Sequence, residues 1–358
     1  MAFEHRTLGQ RVVFRTGGSA QAVAEEVLRQ AASRVLVVAA AADRALAEEA
    51  CALIEPAGWF TDVVQHVPVE VAESARATAS QIGADLVVSV GGGSTTGLAK
   101  AIALTADLPV VAVPTTYAGS EATNVWGLTE RRAKTTGADD KVLPRTVIYD
   151  ADLTLSLPRD LSVSSGLNGL AHCIDSLWAP RADPINEALA IGGANALARA
   201  LRGLVQDPTD VDAREAALYG CYLAAVAFTS AGSGLHHKIC HVLGGSFNLP
   251  HAATHAVVLP HVLAMNAPYV PAVSSRLVTA LDGAAESRTD SIGALADLYR
   301  EIDAPSSLAD LGFAAADVPE AVERCLAAAP PSNPVPVTAE NLTCLLHAAR
   351  TGAPSIPS

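Results

Sequence analysis

The chain has 358 residues, half of them hydrophobic and 4% aromatic, with 24 Lys and Arg against 37 Asp and Glu and a formal net charge of −13. At roughly 100–200 residues per domain this is length for about two domains, enough to bury a core without disulfides or structural metal. The acidic balance offers no broad basic surface to phosphate backbones or anionic lipid, so nucleic acid and membrane are excluded as expected partners and a small molecule is left.

The six Cys are scattered and form no CxxC pair, which argues against a disulfide framework or a thiolate zinc site. No apolar run approaches the roughly 18 residues of a membrane span, and the first ten residues lack an apolar signal core. A cytoplasmic protein is the expectation.

From residue 11 to 150, short runs rich in Val and Ile alternate with stretches of helical periodicity. Strands are expected at 11–14, 35–39, 62–67, 85–90, 110–113 and 146–149, and helices at 19–32, 43–57, 70–82 and 95–106. This alternation predicts an α/β N-terminal domain of Rossmann-like type over residues 1–160, with a mostly parallel sheet covered on both faces. From about residue 161 to 358 only Ala- and Leu-rich helical periodicity follows, which predicts an all-α C-terminal domain.

The segment from Asp85 to Lys100 runs from strand through Gly91-Gly92-Gly93-Ser94 into helix. Backbone without Cβ can approach a diphosphate closely, and the start of the next helix favours an anion. The segment is neither GxGxxG, because Thr96 stands at the third glycine, nor Walker A, because Gly97 is followed by Leu98. Pro114-Thr115-Thr116-Tyr117-Ala118-Gly119-Ser120-Glu121 ends the next strand and is a second candidate loop for the same crevice. The position where an acidic residue would hold an adenosine ribose falls at Ala40, which predicts tolerance of both NADH and NADPH; the first carboxylate after it is Asp43.

Six of the ten His lie between residues 236 and 261. His237 and His241, four apart, share a helix face, as do Asn168 and His172. Clustering marks His172, His237 and His251 as functional, whereas His5, His66, His255, His261 and His347 are read as ordinary polar or core residues. His236 and Lys238 are placed on other helix faces, where either can be a surface residue.

The motifs GGGSTTGLAKAIAL, PTTYAGSEATNVWGLTE, KVLPRTVIYD, SGLNGLAHCIDSLWAP and GLHHKICHVLGGSFNLPHAATHAVVLPHVLAMNA occur in order along nearly the whole chain. Together they resemble the iron-containing (group III) alcohol dehydrogenase family, within the dehydroquinate synthase-like superfamily. PTTYAGSE, SGLN and GLHHK resemble its maleylacetate reductase branch. The resemblance implies an oxidoreductase with its active site in an interdomain cleft, using NADH, NADPH or both. It assigns the diphosphate to Gly92, Gly93 and Ser94, the nicotinamide half to Thr115 and Thr116, and a ribose hydroxyl to Lys134. It further implies a homodimer.

Metal-dependent members bind one divalent ion through residues that match Asn168, His172, His237 and His251. Here the single carboxylate of that set has become Asn168, a weak neutral donor, so no metal is expected in catalysis. The branch implies a dianionic keto acid substrate, whose carbon–carbon double bond is reduced. His172, His237, His241 and His251 then line the pocket with Asn168, and His172 and His241 are the expected proton donors. Arg15, Thr16 and Ala253 depart from the family pattern, with Arg15 a candidate to alter phosphate contacts. The rival readings are a metal-dependent alcohol dehydrogenase using Asn168 as ligand, a reductase of a related unsaturated keto acid, a non-redox lyase or cyclase, and a silent homologue.

Overall fold

In the computed structural model, which describes residues 2–130, 133–282 and 290–353, the Val-rich runs form strands because branched side chains pack well on a pleated surface covered on both faces. In chain order they are β1 (Arg11–Phe14), β2 (Val35–Val38), β3 (Gly58–Phe60), β4 (Leu86–Gly91), β5 (Val110–Pro114), β6 (Val125–Glu130), β7 (Ala133–Ala138) and β8 (Thr146–Tyr149). Six of them make one parallel sheet in the order β1-β8-β5-β4-β2-β3, and β6 and β7 pair as a separate antiparallel hairpin.

Side chains alternate across the sheet, so successive residues of one strand serve different cores. Val35, Val37, Leu86, Val88, Val111 and Val113 pack against helices α1 (Ser19–Arg29) and α2 (Arg44–Ala50). Leu36, Val38, Val87 and Val110 pack on the other face, against α3 (Val69–Gln81) and α4 (Gly93–Ala106).

The strand expected at 62–67 does not form. The edge strand is β3, four residues earlier, where Gly58 pairs with Leu36 and Phe60 with Val38. His66 and Val67 have φ of 66° and 49°, left-handed values that turn the chain into α3 and are incompatible with a strand there. The hairpin β6–β7 was not read from the sequence, because its Thr, Gly and charged residues give a weak apolar alternation.

Helices α5 (Arg159–Ser176), α6 (Pro184–Gln206), α7 (Val211–Ala231), α8 (Leu235–Phe247), α9 (His251–Asn266), α10 (Pro271–Asp282), α11 (Ser291–Glu301), α12 (Val318–Ala328) and α13 (Ala339–Thr351) make up the rest. Helical periodicity over 275–286 is met by α10 as far as Asp282, and residues 283–286 lie outside the described residues. Two compact units result, Thr7–Leu157 and the chain from Pro158 onward together with the N-terminal residues up to Arg6. His5 explains that assignment, since its Nδ1 lies 2.8 Å from the Asp183 carboxylate that caps α6.

Within the helical unit α5 is the central element, buried continuously from Ser165 to Ser176. It packs with α6, α7, α9, α10 and α11 around one core, while α8, α9, α12 and α13 enclose a second. α6 and α7 approach closely at Gly193, where an added Cβ would lie 2.8 Å from Cys173 Sγ and 3.1 Å from the Gly220 carbonyl oxygen. Overfilling such a contact costs about 1–3 kcal/mol. Gly193→Ala is therefore expected to lower the unfolding free energy by that amount, seen as a lower urea midpoint at unchanged m-value, while Gly245→Ala, which meets nothing within 4 Å, leaves the free energy within about 0.5 kcal/mol.

Candidate active site

The glycine run folds as a strand-to-helix turn. Gly91 ends β4 with φ of +149°, Gly92 stands at the N-cap of α4, and no side chain caps that 14-residue helix. Its first N–H groups therefore remain for another acceptor. The second loop lies directly beside it. Thr115 N–H donates to the Gly91 carbonyl at 3.1 Å, and a Cβ on Gly92 would lie 3.0 Å from the Thr116 side chain. Gly92, Gly93, Ser94, Thr115 and Thr116 are thus brought together, as their shared crevice requires.

A buried charge fixes the second loop. Lys100, inaccessible on α4, donates from Nζ to Thr123 Oγ1 and the Val125 carbonyl, both at 2.9 Å, and to the Ser120 carbonyl. Burial pushes its pKa down to about 7, against the attraction of Glu121. Burial raises Glu121 in turn, and its carboxylate accepts from Tyr149 Oη at 2.8 Å.

Ala40 is half-buried at the end of β2 and offers no polar side chain. Asp43 comes instead to the glycine turn, its Oδ2 only 3.2 Å from where a Gly91 Cβ would stand. Arg15 pairs with Glu25 at 3.2 Å and crosses over Gly18, so its guanidinium is occupied by that carboxylate. The side chain of Lys134 lies outside the described residues.

The imidazoles gather inside the helical unit. α5 contributes Asn168, His172 and Asp175, α8 contributes His236, His237 and His241, and α9 contributes His251 and His255. Ring centroids are 4.8 Å apart for His172 and His237, 4.8 Å for His237 and His255, and 4.4 Å for His251 and His255. Phe228 closes one side, 4.7 Å from His172 and 4.3 Å from His237. His241 is exposed on α8, its ring 6.2 Å from that of His237, and His251 is half-buried at the first position of α9.

Asp175 organises the cluster, and the sequence reading missed it. Its carboxylate, fully buried, accepts from the Gly234 N–H at 2.8 Å, the His236 N–H at 3.2 Å and His237 Nδ1 at 2.7 Å. Gly234 is required there, because a Cβ would fall 2.4 Å from Asp175 Oδ1. With Nδ1 donating to a carboxylate, neutral His237 presents an unprotonated Nε2, which is buried and without a partner. The spacing His172-x2-Asp175, one helical turn on the same face, was the available signal.

Two further placements correct the sequence reading. His236 is not a surface residue, being fully buried with Nε2 2.9 Å from His255 Nδ1. His255 is no isolated core histidine, since it lies against both His237 and His251 and its Nε2 has no partner.

Burial lowers the four inner imidazoles. His172 falls to about 4 and His236 to about 3, with His237 and His255 also well below the ordinary value, chiefly through desolvation and then mutual repulsion. Burial raises Asp175, against its N–H donors and the neighbouring imidazoles. At neutral pH these four imidazoles are uncharged and surround one carboxyl group.

A divalent ion fits this set poorly. Among the described residues, the group whose ligand atoms all lie within 4.8 Å of one another is His236, Cys240 and His255, not His172, His237 and His251. Tetrahedral zinc needs ligand atoms about 3.3 Å apart, given metal–nitrogen bonds of about 2.0–2.1 Å. In the His236 group the two nitrogens already share a hydrogen bond, and burial holds the Cys240 thiol protonated.

Two consequences are testable. Asp175→Asn removes the acceptor that fixes the His237 tautomer, and kcat is expected to fall roughly tenfold to hundredfold, with the dinucleotide Kd unchanged by fluorescence titration. His261, apart from the cluster on α9, is lowered to about 4 by burial. Between pH 4 and 6.5 the unfolded chain binds a proton at this residue that the folded protein does not, so acidification through that window destabilises the fold. As the pH is lowered from 6.5 to 4, the unfolding free energy of the native protein should therefore drop more steeply than that of His261→Gln, by up to about 1.4 kcal/mol per pH unit.

The chain is similar along its length to known proteins. The family description "Iron-containing alcohol dehydrogenase" matches residues 9–151, and "Fe-containing alcohol dehydrogenase family, C-terminal" matches residues 162–350. The chain is 46% identical to a maleylacetate reductase of Sphingobium indicum over 99% of both chains, and 44% identical to one of Pseudomonas sp. strain P51 over the full length of both. Among solved structures it superposes on an iron-containing alcohol dehydrogenase of Corynebacterium glutamicum with a TM-score of 0.95, at 55% identity over 98% of this chain and 97% of that one. The maleylacetate reductase of Rhizobium sp. strain MTP-10005 gives 0.92, at 43% identity over 99% of both. The chain is therefore an oxidoreductase and belongs to the iron-containing alcohol dehydrogenase family.

Proposed function

We propose that the chain reduces the carbon–carbon double bond of maleylacetate to give 3-oxoadipate, using NAD(P)H and no metal ion. The observation that carries this reading is the uncharged imidazole cluster, with Asn168 where metal-dependent relatives carry a carboxylate, in a chain 41–46% identical to maleylacetate reductases of several bacteria. A dianionic substrate is repelled by each carboxylate in its pocket, so replacing one by an amide favours it.

NAD(P)H, bound at Gly92, Gly93 and Ser94 with Thr115 and Thr116 beside it, supplies a hydride to one alkene carbon. Negative charge then spreads onto an enolate oxygen of the substrate, and a proton must reach the other carbon. Imidazole and amide N–H groups suit both tasks, because an enolate is stabilised by hydrogen-bond donors and needs no Lewis acid. Asn168 serves as a neutral donor. Asp175 holds His237 with its proton on Nδ1, so Nε2 of His237 orients a donor rather than acting as one. His172 is buried and keeps water from the reacting carbons. His241, exposed on α8, exchanges protons with solvent and is the group assigned to deliver one. His251 borders the pocket at the start of α9. Homodimerisation and a cytoplasmic location complete the proposal, on the family resemblance.

The deciding experiment follows NADH or NADPH oxidation with freshly prepared maleylacetate, before and after exhaustive chelation. Stoichiometric turnover that survives chelation is expected. Activity that vanishes with the chelator and returns with one divalent ion would overturn the metal-free mechanism, and absence of turnover with either dinucleotide would overturn the substrate.

A further inference from the structure

Helix α4 begins at the glycine turn, and farther along it the Lys100 side chain is fully buried. Its Nζ donates to Thr123 Oγ1 and the Val125 carbonyl, both at 2.9 Å, and to the Ser120 carbonyl. An ammonium has three N–H donors, and these acceptors use all of them. Ser120 lies at the end of the second loop, and Val125 is the first residue of β6. The loop is pinned at its other end by the Thr115 N–H on the Gly91 carbonyl, at 3.1 Å, and between the two Ala118 Cβ lies 3.2 Å from where a Gly93 Cβ would stand. Residues 115–120 are thus held over the glycine turn from both ends.

The hairpin that carries Lys134 is fastened to the same helix. Lys100 holds its first residue, and Thr129 on β6 donates to the His66 carbonyl from Oγ1 at 2.8 Å and to the Val67 carbonyl from N–H at 3.1 Å. Val67 in turn sits against Gly97, three residues before Lys100, where a Cβ would lie 3.1 Å from its Cγ2. Other contacts tie the end of the loop to the sheet: the Glu121 carbonyl accepts from Gln10 Nε2 and its carboxylate from Tyr149 Oη, both at 2.8 Å. Lys100 is the side chain that binds it to the helix of the glycine turn.

We propose that Lys100 is a positioning residue for the nicotinamide half of the dinucleotide, fixing the second loop and the base of the hairpin against the helix whose first turn takes the diphosphate. It acts through Thr115, Thr116 and the hairpin and gives no atom to the reaction. Without the ammonium, the Ser120 and Val125 carbonyls lose a charged donor in a buried place, and the buried Glu121 carboxylate loses the cation beside it, so the stretch must move to find other partners. The glycine turn, built from backbone upstream of Lys100, stays as it is. The inference rests on the turn and the loop being the dinucleotide site, as the proposed function has it.

ADP carries the adenosine and the diphosphate but no nicotinamide, so it separates the two halves of the site. In Lys100→Met, of similar length but uncharged, the Kd of ADP by calorimetry is expected to stay within about twofold, while that of NADH rises about tenfold, the scale of one contact to the nicotinamide half. The kcat with maleylacetate should fall about tenfold or more at unchanged KM for that substrate, as a displaced hydride donor requires. Thr123→Val, which removes one acceptor and no charge, should move the NADH Kd and kcat the same way by about threefold. NADH affinity and kcat unchanged in Lys100→Met overturn the role, and so does equal weakening of ADP and NADH, which marks damage to the turn or to the whole fold. Should Lys100→Met fail to fold, Thr123→Val decides alone, and native NADH affinity and kcat in that variant overturn the role. A native protein that binds neither ADP nor NADH overturns the dinucleotide site itself, a result that no variant is needed to reach.

Discussion

A carboxylate buried without solvent must be met by donors, and Asp175 is met by the first turn of α8. Its two oxygens receive two backbone N–H groups and one imidazole, which fixes where α8 begins, how it lies on α5, and which tautomer His237 adopts. The rest of the cluster follows from that junction. His236 is turned inward because its own N–H is held by the same carboxylate, and its ring then reaches His255 on α9. Three helices are locked to one another through polar groups in a place where apolar packing alone would not specify ring orientation.

The same logic governs charge. A cluster of imidazoles could be a strongly cationic pocket, but desolvation and crowding keep His172, His236, His237 and His255 neutral. Under the proposed function, attraction for an anion therefore rests on oriented N–H dipoles and on the amide of Asn168, while the carboxylate of Asp175 is engaged by its own donors. The sheet-bearing unit uses a parallel device: an ammonium, Lys100, is hidden beneath a loop and spent on carbonyl oxygens of that loop.

Much of this was legible in the sequence. The strands β1, β2, β4, β5 and β8 coincide with Val-rich runs that periodicity identifies, and α6, α7, α9 and α13 with Ala- and Leu-rich repeats. The glycine turn and the pairs Asn168/His172 and His237/His241 follow from spacing. What was not legible depends on tertiary placement. Residues 62–67 look like a strand by composition, yet the pairing partner of β2 is Gly58–Phe60, chosen by which residues can lie flat against α3. The spacing of Asp175 from His172 and the place of His236 and His255 in the histidine-rich segment are visible in the chain, but their roles exist only once three helices converge.

The contact between His5 and Asp183 has its own meaning for how the molecule is made. His5 finishes its packing on the capping residue of α6, 178 positions later in the chain. The helical unit is thus assembled from two separate stretches, with the whole sheet-bearing unit inserted between them. Completion of the helical fold must wait for translation well past the sheet, and a change at His5 acts on the start of α6 rather than on the strand that follows it in sequence.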